Sequence, residues 1–185
     1  MGTTEASLAA DLSDGTLIER WRRGDERAAT ALVERHAGAV ARFVASLGAR
    51  DDVEELVQDT FVRAFGSLDG FRSASSLRTW LFTIARNLLR DRLRAARGKR
   101  GAVPVEEHHA LTGHDALDHL VADETEGRLA AAVARLTPMQ RQVFTLRVTE
   151  GLSYREIAEV VGSTEGAARV HYFNAVRAIK EWLDD

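Results

Sequence analysis

FRSASSLRTWLFTIARNLLRDRLRAARGKR occupies residues Phe71–Arg100, and its residue spacing decides how the surrounding chain folds. Apolar residues recur every three or four positions, which predicts a helix with one face packed against a core. The members of this apolar stripe are Leu77, Trp80, Leu81, Ile84, Ala85, Leu88 and Leu89. A second stripe, on another face of the same helix, consists of Arg78, Phe82, Arg86, Arg90, Arg94 and Arg97. We name this second stripe the basic stripe.

The basic stripe lies in a segment whose charge is one-sided. Between Leu77 and Gly101, eight Lys or Arg residues stand against a single acid, Asp91. Solvated helix faces usually mix both signs, so this density favours a surface that attracts phosphate in a salt-dependent way. The alternative is a solvated face on which arginine stems cover apolar neighbours. With aromatic residues threaded into the stripe, the pattern favours nucleic acid as the partner.

Composition limits the other functions that are open to the chain. Its 185 residues suit two small domains, and its net charge of −3 means that a nucleic-acid role depends on an uneven distribution of charge. Acids gather at 51–59 and again at 106–126. The absence of cysteine excludes disulfides, thiol nucleophiles and zinc sites with cysteine ligands. No apolar run reaches the ~20 residues of a membrane span, and the start of the chain lacks the features of a signal peptide, so we expect a cytoplasmic protein without membrane insertion.

Helical periodicity and the presence of only two prolines predict an all-α fold, in which an N-terminal helical bundle and a C-terminal helix-turn-helix domain are joined by a flexible acidic linker. The expected division is a disordered lead at 1–12, the bundle at 13–100, the linker at 101–125 and the C-terminal domain at 126–185. Within the bundle, helices are predicted from Ser13 or Asp14, over 26–47 and over 51–65. His36 is expected to be a packing residue, and the four linker histidines are expected to be solvated and not metal ligands.

The C-terminal domain carries the clearest helix boundaries in the sequence. Thr137 with Gln140, and Ser153 with Glu156, have the spacing of capping boxes. Gly151 should end the first of these helices, and Gly162 should form the turn before a last helix that runs to Leu183. A helix, a glycine turn and a helix form the arrangement whose second helix can enter a DNA major groove. On the last helix, Ala168, Tyr172, Ala175 and Ile179 should face inward, and Gly166, Arg169, Phe173 and Arg177 should face outward.

Taken together, three segments resemble the extracytoplasmic-function sigma factors, the small two-domain members of the major sigma-factor family of bacterial RNA polymerase. DDVEELVQDTFVRAF (51–65) is similar to the family's polymerase-binding segment, FRSASSLRTWLFTIARNLLRDRLR (71–94) to its promoter-melting segment, and LTPMQRQVF with EGLSYREIAEVVGSTEGAARV (136–170) to its reader of the upstream element. The resemblance spans 13–185. Three motifs in the family's order are more specific than any one of them.

The resemblance implies the residues that each segment uses. Glu55, Gln58 and Asp59 would bind the polymerase clamp. The like-charge pair of Glu55 and Asp59 costs a few tenths of a kcal/mol on an isolated helix, so a basic partner surface would explain it better than stability does. The residues expected at the minus-ten element, where a flipped base would be held, are Asp69, Phe71, Arg72, Ser73, Arg78, Phe82, Arg86, Asn87, Arg90 and Arg94. The residues expected at the minus-thirty-five element are Ser163, Thr164, Glu165, Arg169, Phe173 and Arg177. Trp80 is expected in the core, because it belongs to the apolar stripe.

The resemblance further implies the partners: the clamp and flap of core RNA polymerase, promoter DNA and an anti-sigma factor. The acidic linker would thread the polymerase cleft, although a plain solvated tether fits the residues equally well. We expect no cofactor, no metal and no catalytic residues, and therefore not an enzyme, because nothing in the sequence resembles a phosphate loop or a nucleophile with its base. The competing hypothesis is a conventional helix-turn-helix regulator with an N-terminal sensor or dimerisation bundle.

Overall fold

A computed structural model describes residues 12–49, 52–71, 75–99 and 124–184 of the chain. The described residues form helices and no strand, which confirms the all-α prediction. The helices are α1 (Asp14–Arg22), α2 (Glu26–Ser46), α3 (Val53–Gly66), α4 (Leu77–Lys99), α5 (Glu124–Arg135), α6 (Pro138–Phe144), α7 (Tyr154–Val161) and α8 (Glu165–Asp184), with a short 3₁₀ turn at Leu68–Gly70. The predicted lead, except for residue 12, and the predicted linker up to residue 123 lie outside the described residues, as do the four linker histidines.

Helices α1 to α4 form the N-terminal bundle. The Ser13 hydroxyl accepts a hydrogen bond from the Thr16 amide at 3.2 Å and begins α1, while Asp25 caps α2 in the same way. The core is built from apolar side chains that all four helices turn inward, as the spacing in the sequence predicts; its most deeply buried members are Leu17, Leu32, Val40, Phe43, Val44, Leu56 and Leu81. His36 is buried, and its Nε2 lies 2.9 Å from Asp14 Oδ2, so it packs inside the bundle as expected.

Helices α5 to α8 form the C-terminal domain. Both predicted capping boxes are present, at Thr137 with Gln140 and at Ser153 with Glu156. Gly162 ends α7 with φ of +66°, in the left-handed region where a side chain would be strained, and this turn lets α8 cross back over α7. The sequence did not predict that α6 ends at Phe144 and continues as a widened π turn over Thr145–Thr149.

Arg141 joins two helices of this domain from a buried position. Its guanidinium donates hydrogen bonds to the carbonyl oxygens of Val133, Ala134 and Leu136, which lie at the end of α5 and just beyond it. Carbonyl groups at a helix end have no partner within the helix. Arg141 therefore supplies donors to this helix end, where the Val133 carbonyl also accepts from the Leu136 amide, and fixes α5 against α6. Burial lowers the pKa of Arg141 from its ordinary value.

The two domains pack against each other. Helix α4 contacts α7, and α2 contacts α6. Most buried apolar side chains of the described residues form one hydrophobic cluster that spans both domains, in which Phe43 and Phe82 of the bundle join Val143, Leu146 and Ile157 of the C-terminal domain. A second cluster lies within the C-terminal domain and consists of Ala132, Leu136, Ala175 and Ile179. As a result α4 is covered on two sides, by the bundle along its apolar stripe and by the C-terminal domain along part of its basic stripe.

Candidate functional site

The basic stripe of α4 is divided between a covered half and an open half. At the covered end, Arg78 bonds to Glu150, and Arg86 Nε donates to Gln142 Oε1 at 2.9 Å. At the open end, Arg90 and Arg94 are exposed. The stripe that was predicted as one continuous DNA-binding face is therefore available, in this arrangement of the domains, only towards its carboxyl end.

The prediction that Phe82 faces outward is wrong. It was placed on an outward face with the arginines, but its side chain is fully buried. Its ring lies 5.0 Å from the ring of Phe43, and the Arg78 guanidinium lies 5.6 Å above its centroid. Helical periodicity assigned one buried face to α4, whereas the C-terminal domain buries a second one. In the packed form Phe82 cannot stack on a base.

The loop before α4 is described in part. Phe71 lies against Trp80, with their ring centroids 5.1 Å apart, and both are half-buried. Trp80 packs against the hydrophobic cluster, as its place in the apolar stripe predicts. Asn87, another residue expected at the minus-ten element, is half-buried on α4. Arg72, Ser73 and the Asp69 side chain, which were also expected there, lie outside the described part of the structure.

Glu150 is a functional candidate that the sequence analysis missed. Its side chain is 0% exposed, and both of its oxygens are held by arginines of the other domain. Arg42 Nε donates to Oε1 at 3.1 Å, and Arg78 Nη2 donates to Oε2. A signal was present in the sequence, because Glu150 follows Val143 and Leu146 at helical spacing. An acid on an apolar face needs a partner of opposite charge.

A further hydrogen bond between the domains involves Thr79, which follows Arg78 on α4. Glu156 of the capping box accepts a hydrogen bond from Thr79 Oγ1 at 3.2 Å, and Thr79 is completely buried. The Ser153 hydroxyl and amide, together with Thr79, hold the pKa of Glu156 below its ordinary value, against the opposing effect of burial. Glu156, in the first turn of α7, therefore also binds the beginning of α4.

The predicted polymerase-binding residues form an acidic patch on α3, which we define as Glu55, Gln58 and Asp59. All three keep much of their surface open to solvent, and the side chains of Glu55 and Asp59 are 65% and 46% exposed. Arg92 of α4 lies between the two acids and bonds to both, at 3.0 Å from Glu55 Oε1. Burial alone would lower the pKa of Arg92, but the two carboxylates outweigh it and raise that pKa. The like-charge pair therefore does not by itself indicate a partner surface, as the sequence suggested, because Arg92 compensates the repulsion within the chain.

An apolar groove of about 540 Å³ lies between α2 and α3, next to the acidic patch. Gln58 belongs to both, and Glu54 also lines the groove. Apolar side chains form most of its lining; they are Val33, Ala37, Ala41, Val53, Val57, Phe61, Val62 and Phe65. Val62 is 68% exposed, which is high for a large aliphatic side chain. Acidic and apolar surface thus adjoin on one side of the bundle.

The last helix presents the face that its periodicity predicted. Ala168, Ala175 and Ile179 are buried, whereas Arg169, Phe173 and Arg177 are exposed together with Ser163, Thr164 and Glu165. The Arg169 guanidinium is held at 2.6 Å by Glu165 and lies 4.7 Å above the Tyr154 ring. Phe173 is 67% exposed. An arginine held in one orientation beside an exposed aromatic ring is suited to contact phosphates or base edges in a DNA groove.

The described residues contain no group of three or more His, Asp or Glu side chains that could hold a metal ion. No helix in the described part of the chain is long and apolar enough to cross a membrane.

Comparison with known proteins decides the family. The model of Sigma-70 region 2 matches residues 32–99, and the model of Sigma-70, region 4 matches residues 126–179. The ECF RNA polymerase sigma-E factor of Haemophilus influenzae is 31% identical over 183 residues, which cover 94% of this chain and 96% of that protein. The chain belongs to the extracytoplasmic-function sigma factors. The protein of the same description from Escherichia coli strain K12 is 32% identical over 93% of this chain and 95% of its own length.

Two solved structures resemble this one in fold. The structure of CnrH in complex with the cytosolic domain of CnrY has a TM-score of 0.66 and 31% identity, and covers 92% of this chain and 97% of that one. The sigma factor RpoE in complex with the anti-sigma factor NepR, from Bartonella quintana, has a TM-score of 0.64 and 26% identity, and covers 84% of this chain and 96% of that one. The sigma factor described here therefore acts in promoter-specific transcription initiation, which decides against a conventional helix-turn-helix regulator.

Proposed function

We propose that this sigma factor docks on core RNA polymerase through the acidic patch of α3 and the adjoining groove, and that it holds promoter DNA with α4 and α8. The main support for this docking surface is that Glu55 and Asp59 are exposed and that Arg92 fixes their orientation. A basic helix with an apolar edge would match both the acids and the groove. Preorganised charges favour association because little side-chain entropy is lost when the partner arrives.

The proposed DNA contacts fall on two separate elements. The minus-ten element would meet the loop before α4 and the residues predicted along α4, and the minus-thirty-five element would meet α8. Arg169 supports the second assignment, since its guanidinium is exposed and already oriented by Glu165 and Tyr154. Arg78 and Arg86 can join the first only after their present partners in the C-terminal domain have been replaced.

We further propose that the chain has no catalytic step of its own, and that nucleotide addition belongs to the polymerase that it joins. The protein would therefore act in the cytoplasm, where polymerase and promoter meet. An anti-sigma factor is a further proposed partner, because the structurally similar sigma factor RpoE was solved in complex with the anti-sigma factor NepR.

The decisive test measures binding of fluorescently labelled protein to purified bacterial core RNA polymerase. A Glu55→Arg/Asp59→Arg variant should lose at least tenfold in affinity, since each reversal places a repulsive charge on the docking surface. The double variant also breaks the bonds from Glu55 and Asp59 to Arg92, so an Arg92→Gln variant is needed as a comparison. It removes the intramolecular pair without altering the acids, and should lose less than the double variant.

A matched control is Glu159→Arg, which reverses an exposed acid on α7 away from the acidic patch. This variant should bind core polymerase like the wild type. Circular dichroism checks that each variant is folded. If the folded wild type ignores core polymerase, or if the Glu55→Arg/Asp59→Arg variant binds as well as the Glu159→Arg control, the docking surface is assigned wrongly.

A further inference from the structure

Arg42 and Arg78 come from two different helices of the bundle and converge on one carboxylate. Arg42 Nε and Nη2 lie 3.1 Å and 3.4 Å from the two oxygens of Glu150, and Arg78 Nη2 bonds to one of them. Glu150 belongs to the C-terminal domain and is the buried member of this trio. The bundle thus holds a preformed site for an oxyanion, and the C-terminal domain supplies its present occupant.

The surroundings of this site match those of a nucleic-acid surface. Arg78 lies over the Phe82 ring, and Arg86 follows two helical turns later on the same stripe. Arginine pairs bind phosphate as they bind carboxylate, through charge-assisted hydrogen bonds. Removal of the C-terminal domain from this face would free two guanidinium groups, which are 56% and 35% exposed even in the packed form, to bind another anion beside the open arginines of α4.

We infer that Arg42 and Arg78 form a phosphate site for the promoter strand, and that Glu150 occupies this site whenever the two domains are packed together. This inference rests on the proposed function of α4 as a DNA-binding helix. Glu150 and the DNA phosphate are alternative occupants, so the packed form cannot hold DNA on this part of α4. Release of the C-terminal domain, as docking on polymerase would require, exposes the site.

Charge explains why the competition is balanced. A buried carboxylate without its arginines is costly, whereas Arg42 and Arg78, whose side chains are 56% and 35% exposed, can be hydrated or can bind another anion. Exchange of one oxyanion for another keeps both arginines satisfied during opening. Hydrophobic contact between the domains, as at Phe82, favours the packed form, whereas contacts to polymerase and DNA favour the open form.

The first test measures the distance between domains in the full chain. The protein has no cysteine, so Arg23→Cys and Lys180→Cys, both exposed, take a donor and an acceptor dye. A saturating single-stranded oligonucleotide of mixed sequence should lower energy transfer in this otherwise native protein. If the oligonucleotide binds with an affinity that Arg42→Gln lowers, while energy transfer keeps its unbound value, the two occupants do not exclude each other and the inference fails.

The second test removes the occupant. Glu150→Gln keeps the shape of the side chain and removes its charge, so energy transfer in the free protein should fall. The variant should also bind the oligonucleotide about tenfold more tightly than the wild type, which is the change expected from the loss of one charged hydrogen bond. Unchanged oligonucleotide affinity in a folded variant would overturn the inference. The wild-type competition above remains decisive if this variant does not fold.

The third test separates a phosphate contact from a mere latch. In the Glu150→Gln background, Arg42→Gln should weaken oligonucleotide binding and reduce the salt slope by about 0.7, the value for one phosphate contact on a single strand. Arg63→Gln, which removes an exposed arginine from α3, is the matched control and should change little. Equal effects of Arg42→Gln and Arg63→Gln would show that Arg42 only holds Glu150, and the phosphate site would be refuted.

Run-off transcription with core polymerase distinguishes failure of this inference from failure of the proposed function. A wild-type protein that supports transcription, combined with a negative result in the tests above, refutes the phosphate site alone. A wild-type protein that supports no initiation and does not bind core polymerase refutes the proposed function.

Discussion

Substitution of Arg141 tests how the C-terminal domain is held together. The guanidinium is buried, and it donates at 3.2 Å to the Val133 carbonyl and at 3.0 Å to the Leu136 carbonyl, in addition to its bond to Ala134. Arg141→Met retains an unbranched apolar stem of similar length and removes all three donors. The carbonyls of Ala134 and Leu136 would then lose the guanidinium donor, while the Val133 carbonyl keeps its bond from the Leu136 amide at 3.2 Å.

The size of the effect follows from opposing contributions. A hydrogen bond from a charged donor contributes about 1.5–3 kcal/mol, so three of them could exceed 5 kcal/mol. Burial of the guanidinium costs part of this, as its lowered pKa indicates. Val133 and Ala134 are also half-buried and can regain water when the donors are removed. We therefore expect a loss of about 2–4 kcal/mol in the free energy of unfolding.

Urea unfolding followed by circular dichroism measures this loss, with Arg155→Met as the control because Arg155 is exposed on α7. The control should change stability by less than about 0.5 kcal/mol. Arg141→Lys keeps the charge but cannot reach three carbonyls, so it should recover less than half of the difference. A loss below about 1 kcal/mol for Arg141→Met, or full recovery with lysine, would refute this account of how α5 is anchored.

Three further predictions concern DNA reading, pH and the bundle. Arg169→Ala should weaken binding of the holoenzyme to the upstream promoter element by about 1–3 kcal/mol, while binding to core polymerase is unchanged. Fluorescence anisotropy with a labelled promoter duplex measures the DNA affinity. A loss of binding to core polymerase would contradict the prediction. The pKa of Glu156 is below its ordinary 4.5 in the folded protein, so its charge stabilises the fold above pH 4.5, and this contribution is lost as pH falls through the lowered pKa. The stability difference between wild type and Glu156→Gln should therefore be constant near neutral pH and should shrink in acid. A difference that stays constant at every pH would show that the charge of Glu156 does not contribute to stability. Asp14→Asn removes the carboxylate that binds Arg35 at 2.6 Å and the buried His36 at 2.9 Å. This substitution should lower the free energy of unfolding in urea by about 1–2 kcal/mol. An unchanged unfolding midpoint would show that these bonds do not contribute to stability.

The elements of this fold could be predicted because their determinants are local. The boxes at Thr137 and Ser153 satisfy backbone amides three residues away, so they are visible in the sequence and present in the structure. The outward face of α8 was predicted for the same reason, since Arg169 and Phe173 lie opposite the buried Ala168 in the helical repeat. The widened turn after Phe144 escaped prediction, because its extra residue follows no periodic pattern.

The candidate sites show where local reasoning ends. The like charges of Glu55 and Asp59 were visible in the sequence, but Arg92, which compensates them, is more than thirty positions away along the chain. Pairing at that separation is set by the packing of α4 on α3. The acids could be predicted, and the partner that orients them could not.

The sequence by itself determined the helices, their caps and the first buried face of each, because these depend on contacts within a few residues. Only the tertiary structure decided that α4 is buried twice, that Phe82 is a core residue and that Glu150 holds Arg42 and Arg78. The physical reason is that one helix can pack on two neighbours, while its periodic pattern records the more apolar of the two contacts. A second contact made largely of arginine, threonine and glutamate looks like a solvated surface until its partner is placed against it.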